Sequence, residues 1–173
     1  MIRFLPEDFR QKARWNYGNT SFRSVLKALV TDGSFTMVAY RVAQTCYRLH
    51  IGWLGAVLLK FSSVLTQALI GRGAEFGPGF VVLHSTGLVI NGRTRGGRNV
   101  FLEHGVTIGE EKGGVPVLGS DIFVGAGAKI FGRVRIGDGA RIGANAVVVH
   151  DVPDHSTAVG VPARILPPKR SKP

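Results

Sequence analysis

The sequence predicts a mainly β protein: a parallel β-helix of hexapeptide repeats, about five coils long, preceded by an α-helical N-terminal part. Three observations carry this. Leu118, Val124, Ile130, Ile136, Ile142 and Val148 recur every six residues without exception, and Ile122, Ala128, Val134, Ala140 and Ala146 follow the first five at four residues. Of 24 glycines, all but four lie beyond Ile70, and Gly119, Gly125, Gly137 and Gly143 directly follow an aliphatic residue of the series. Neither a helix period of 3.6 nor a strand period of 2 produces a six-residue series. A coil whose three faces each take one hexapeptide does. The glycines are not at every third residue, which excludes collagen, and a hydrophobic content of 45% excludes a disordered linker.

Taken in order, residues 1–69 read as a helical region. Ser34 is expected to cap a segment in which Met37, Val38, Tyr40, Arg41, Val42, Tyr47 and Leu49 mix apolar and basic residues, and Gly52 to stop it. The apolar stretch from Trp53 to Ile70 is interrupted by Lys60, Ser62, Ser63, Thr66 and Gln67. It reads as a helix packed in an oligomer, with a helix embedded in a membrane or lying on its surface as the alternative. Residues 70–166 form the repeat domain, and 167–173 a basic tail.

Within the repeat domain the period also runs back through Val106, Val100, Thr94, Leu88, Val82, Phe76 and Ile70, read as the second apolar member of each repeat. Ile108, Leu102, Ile90 and His84 then take the leading slot. The phase breaks between Ile108 and Leu118, ten residues apart instead of six, so 109–116 is expected to hold a loop on the functional side. Corner glycines are expected where the chain turns.

Composition narrows the partners and the compartment. The single cysteine, Cys46, cannot build a disulfide framework or a cysteine zinc site, and Met1-Ile-Arg-Phe-Leu-Pro-Glu-Asp lacks the apolar core of a secretory signal. The expected compartment is the cytoplasm, at the inner face of the membrane if the helices touch lipid. A net charge of +11 suits an anionic partner. Nucleic acid is disfavoured, because no recognised binding motif is present. His84, His104, His150 and His155 show no ligand spacing, so no metal is expected. No Gly-x-Ser-x-Gly or phosphate-loop motif occurs, which leaves general-base catalysis by histidine. His84 stands where the repeat wants an aliphatic residue; it reads either as a buried, hydrogen-bonded structural histidine or, since such exceptions gather at functional sites, as a functional one.

These residues carry a resemblance. The chain from Phe76 to Leu166 resembles the serine acetyltransferase branch of the left-handed β-helix acyltransferases, a group that includes polysaccharide O-acetyltransferases. The likeness lies in His84-Ser-Thr-Gly-Leu-Val, Gly105-Val-Thr-Ile-Gly109, Val124-Gly-Ala-Gly-Ala-Lys-Ile-Phe-Gly132 and Gly160-Val-Pro-Ala-Arg164. It implies a homotrimer with sites between neighbouring prisms and an O-acetyltransferase that uses acetyl-CoA. His84 would be the general base that activates an acceptor hydroxyl for direct attack on the thioester, with backbone N–H groups stabilising the oxyanion. His104 would be a second catalytic residue, and Gly109, Ala126, Ala144 and Arg164 would hold the cofactor.

The same resemblance shows departures. Leu83 replaces the family's aspartate, and Gly114 and Val115 replace an arginine and a histidine that bind serine's carboxylate. The expected acceptor is therefore a sugar or glycan hydroxyl. Serine acetylation in cysteine biosynthesis is the enzyme alternative, and a non-catalytic scaffold the alternative of another class. The family's carboxylate partner for the histidine maps near Leu69. Glu75, Glu103 or a backbone carbonyl is expected to replace it.

Overall fold

The computed structural model describes residues 1–166. Four helices lead the chain: α1 (Leu5–Tyr17), α2 (Phe22–Leu29), α3 (Ser34–Arg48) and α4 (Gly52–Thr66). Pro6 opens α1 with Glu7 and Asp8 in its first turn, and Gly18 in the left-handed conformation ends it. Ser21 caps α2 by accepting from the Ser24 amide. Ser34 does not cap α3. Gly33 holds that position, and the Ser34 hydroxyl is committed elsewhere, donating to the Ala28 carbonyl at 2.6 Å.

From Leu69 onward the chain winds through three parallel faces. The first stacks Leu69–Ile70, Val89–Ile90, Thr107–Gly109, Lys129–Phe131 and Val147–Val148. The second stacks Glu75–Phe76, Arg95–Gly96, Val117–Leu118 and Arg135–Ile136. The third stacks Val81–Val82, Val100–Leu102, Ile122–Val124, Arg141–Ile142 and Thr157–Val159, and Arg164–Leu166 closes it as an antiparallel strand. Register puts Ile70, Ile90, Ile108, Ile130 and Val148 in one interior column. Val82, Leu102, Val124, Ile142 and Ala158 form another. All but Ile70, which is nearly so, are fully buried or within 2% of it, so the prism is filled by its own aliphatic columns.

This register corrects the repeat phase in two places. Ile70, Phe76 and Val82 are leading residues, since they pair with Ile90, Gly96 and Leu102. Leu88 follows Val82 by six residues, whereas Val106, Ala128 and Ala146 follow Leu102, Val124 and Ile142 by four. Two surplus residues therefore lie between Val82 and Leu88, a second phase break in addition to the one between Ile108 and Leu118. Leu88 is apolar and hides the break, because counting by sixes passes through it unnoticed. The corner glycines need another reason too. Gly119 and Gly125 have no positive φ; a Cβ there would meet Asp138 Oδ1 at 2.2 Å or the Ala144 amide at 2.7 Å in the next coil.

The helices are fastened to the first coils by buried polar groups. Arg41, fully buried, pairs with Asp8 at 2.7 Å and donates to the Phe76 and Gly77 carbonyls. Asp8 also accepts from the Gly79 and Phe80 amides at 2.8 and 3.0 Å. Trp15 stacks on Phe123 and packs tilted against Phe101 of the third face, with ring centroids 5.0 and 5.1 Å away. α4 packs along α3 and leaves Trp53, Val57, Phe61 and Val64 exposed. Among the described residues no helix is long and apolar enough to cross a membrane.

Candidate active site

Each coil passes from the third face to the first through one corner, and these corners are stitched into a continuous edge. The amides of Gly105, Gly127 and Asn145 donate to the carbonyls of Thr86, His104 and Ala126, each at 2.8 Å. His84, His104, Ala126 and Ala144 are thereby stacked along the edge, from the first coil to the fourth. His84 follows the leading residue Val82 by two, the place that His104, Ala126 and Ala144 take after Leu102, Val124 and Ile142. Leu83 and Ser85 on either side are buried, 5% and 2% exposed, with Ser85 against Thr36 and Asp32 of the helical part, while more than half of the His84 side chain is exposed. His84 is therefore not a buried member of the repeat. Its ring lies 6.0 Å from that of His104, nearly edge-on.

The carboxylate that meets His84 is Asp32, in the turn between α2 and α3, with Oδ2 3.1 Å from His84 Nδ1. None of the replacements expected from the sequence fills this role: Glu75 lies by Arg95 at 3.8 Å and Glu103 by His104 at 3.7 Å. Asp32 is placed by its neighbours. Gly33 has φ +78°, and a Cβ there would sit 2.2 Å from the Val82 carbonyl, so only glycine lets the turn press against the strand that leads to His84. The Gly33 amide donates to Asp32 Oδ1 at 2.7 Å, and the Ser85 amide and hydroxyl reach the same carboxylate at 3.4 and 3.3 Å. The Ser85 proton is used on Asp32, so the buried Thr36 hydroxyl, 3.1 Å away, donates to Ser85. Burial alone would raise the Asp32 carboxyl. The hydrogen bonds from His84, Gly33 and Ser85 outweigh it and hold the group below its ordinary value.

This fixes what the imidazole can do. An ionised carboxylate only accepts, so Nδ1 of neutral His84 carries the proton and Nε2 presents its lone pair outward. A general base needs that tautomer. His104 supplies a second imidazole beside the same space. Among the described residues no group of three or more metal-ligating side chains occurs.

The residues expected to hold acetyl-CoA divide. Ala126 is half-buried and Ala144 exposed, and both leave the edge unobstructed above the histidines. Lys129, within the Val124-Gly-Ala-Gly-Ala-Lys-Ile-Phe-Gly132 motif but not among the residues expected to hold the cofactor, reaches back to the Gly105 carbonyl at 2.5 Å and the Thr107 hydroxyl at 3.1 Å, bringing a cation to this edge. Arg164 is exposed at the far end, opposite Val159. Small side chains flanked by cations fit a long, phosphate-bearing thioester. Gly109 lies off the edge, at the other end of its strand, where a Cβ would strike the Phe131 ring at 2.3 Å. The 109–116 loop likewise occupies the next corner, folded on itself by paired hydrogen bonds between Glu111 and Gly114 and held by Arg93, 2.6 Å from Glu110. Within one chain the loop does not join the histidines. Lys169, Arg170 and Lys172 of the basic tail lie outside the described residues.

No protein-family model matches the chain. It is 35% identical over 168 residues to the serine acetyltransferase of Helicobacter pylori strain J99, covering 95% of this chain and 92% of that protein. Among solved structures, the serine acetyltransferase of Neisseria gonorrhoeae superposes with a TM-score of 0.86 at 31% identity, over 99% of this chain and 68% of that one. A serine acetyltransferase in complex with CoA gives 0.84 at 30% identity, over 95% of this chain and 69% of that one.

Proposed function

The chain belongs to the serine acetyltransferase family, and we propose that in it His84, held by Asp32, deprotonates the hydroxyl of L-serine for transfer of an acetyl group from acetyl-CoA. It is an acyltransferase with the left-handed β-helix of that family, and acetyl-CoA is its donor. The observation that carries the mechanism is the 3.1 Å contact between His84 Nδ1 and Asp32 Oδ2, which leaves Nε2 free as the base. As Nε2 takes the acceptor proton, the imidazolium that forms is stabilised by the Asp32 carboxylate beside it. The acceptor oxygen attacks the thioester carbonyl directly, and the proton passes to the departing thiolate. No acyl-enzyme is needed. Ala126 and Ala144 leave room for the pantetheine arm, with Lys129 and Arg164 toward its phosphates.

Serine takes precedence over the glycan expected from the sequence, because the relatives reported above are named for serine. One observation favours a second reading. Leu83, beside the base, is buried and apolar, and Gly114 and Val115 bring no cation, so the groups expected for serine's ammonium and carboxylate are not at these positions. An acceptor without those charges, such as a sugar hydroxyl, fits that surface. Thiol release from acetyl-CoA decides between them: turnover with L-serine supports the first reading, and turnover with sugars alone the second. The reading further takes the enzyme to be a homotrimer, supported by the exposed apolar residues of α4 and by Leu69 and Val89 on the adjoining face. Light scattering would then give three times the 18.6 kDa chain mass.

A further inference from the structure

Lys12 is fully buried, and the general-base chemistry described above makes no direct use of it. Its ammonium has three donors, and all three are spent. One goes to the main-chain carbonyl of Asp32, one to the Ser34 hydroxyl at 3.0 Å, and one to the Val82 carbonyl at 2.9 Å. Those acceptors are not scattered. Asp32 supplies the carboxylate of the dyad, Ser34 begins the helix that follows it, and Val82 ends the strand from which His84 is carried out. One buried cation ties together the two backbone segments whose spacing sets the contact between Asp32 and His84.

We propose that Lys12 is a positioning residue of the active site, whose protonated side chain bolts the Asp32 turn to the strand before His84 and so holds the dyad in register. The inference rests on the general-base reading and deepens it. A buried charge is a liability for stability, and an apolar residue at this point of α1 would pack against the strand without one. The ammonium is needed because a neutral amine has two donors and cannot satisfy three oxygens. Burial lowers the Lys12 pKa to about 8, with the negative charge of Asp32 opposing the shift. Other charges near the group are few. Asp32 faces it from the α2–α3 turn, His84 stands beyond Asp32, and Asp8, one turn earlier on α1, is neutralised by Arg41. The clamp therefore loosens within an accessible pH range.

The test is the pH dependence of kcat for the full chain and for Lys12→Met and Lys12→Gln, at saturating acetyl-CoA and acceptor. The wild type is expected to lose kcat on an alkaline limb near pH 8. Both variants should lack that limb and show kcat lowered by about tenfold or more, with KM for acetyl-CoA within about twofold. A structural role alone would lower the plateau and leave the limb in place, which overturns the proposal. Should neither variant fold, the His84 ring resonances of the wild type serve instead: a second inflection near pH 8 supports the clamp, and its absence refutes it. His84→Ala separates the two layers. An active His84→Ala enzyme removes the general-base reading itself, whereas an inactive one beside an unchanged alkaline limb in the Lys12 variants removes only the role of Lys12.

Discussion

His84 Nδ1 and Asp32 Oδ2 lie 3.1 Å apart across 52 residues of sequence, joining the helical part of the chain to the first coil of the β-helix. On the proposed reading, the catalytic group belongs to neither part alone. The helices would supply the carboxylate, and the β-helix the base and the edge for the donor.

Replacing Asp32 tests this division of labour. Asp32→Asn keeps the shape but can present an N–H to Nδ1, which moves the imidazole proton to Nε2 and occupies the base. A fall in kcat of about 10²- to 10⁴-fold is expected, the range typical of general-base catalysis, with a much smaller change in KM for acetyl-CoA. Steady-state kinetics beside His84→Ala checks it. Equal losses in the single and double variants would show the two residues acting as one unit, and full activity in Asp32→Asn would sink the dyad.

Much of the fold was legible because the repeat writes its geometry as spacing. Leu118 to Val148 lead consecutive faces, and the six-residue count reports this directly. The count fails at Leu88, where a two-residue surplus lands on another apolar side chain, and with it fails the idea that His84 occupied an interior slot. Asp32 was not legible from local pattern, because a contact across 52 residues leaves no periodicity. One signal was present: Asp32 is the only acid between Asp8 and Glu75. Lys12 was hidden more deeply, since a lysine one turn from Asp8 on an amphipathic helix reads as surface.

The CoA edge makes a separable prediction. Ala126 and Ala144 stand above the histidines on the path proposed for the thioester, and a large side chain would fill that path. Ala126→Trp should raise KM for acetyl-CoA by about tenfold or more, the cost of about 1.4 kcal/mol or more of lost contact, while leaving the fold intact because the position faces outward. Thermal melting and acetyl-CoA titration together check this. An unchanged KM would move the donor off this edge.

Lys12 also predicts a pH dependence of stability whose sign is opposite to that of a salt-bridged lysine, whose folded pKa is raised. Its folded pKa, about 8, lies below the ordinary 10.5, so between those values the unfolded chain binds more protons than the folded one. Stability attributable to Lys12 therefore rises as pH increases from about 8 toward 10.5, on the order of 1 kcal/mol per pH unit at most. Urea titrations of wild type and Lys12→Met at pH 7.5, 9 and 10 isolate this slope. The difference between the two proteins should shift in favour of the wild type across the series, and a constant difference would show that Lys12 does not lose its proton there. Activity and stability then diverge: raising the pH relieves the buried charge and loosens the dyad.

The pair Asp8 and Arg41 sets the frame within which that dyad is held. Both side chains are fully buried and meet at 2.7 Å. Arg41 also donates to the Phe76 and Gly77 carbonyls, and Asp8 accepts from the Gly79 and Phe80 amides. Together they pin the segment that leads into Val81–Val82 and on to His84. Burial raises the Asp8 carboxyl, while its hydrogen bond to Arg41 and the guanidinium charge oppose that shift. Removing one partner strands the other charge without water. Arg41→Ala should therefore destabilise the fold by about 3–5 kcal/mol, read as a lower urea midpoint. Asp8→Asn, which keeps a carbonyl acceptor for the Gly79 and Phe80 amides, should cost less. If Arg41→Ala shifts the midpoint no more than a surface substitution such as Arg10→Ala, the pair does not hold helices to coil, and the contact between His84 and Asp32 depends on Lys12 and Gly33 instead.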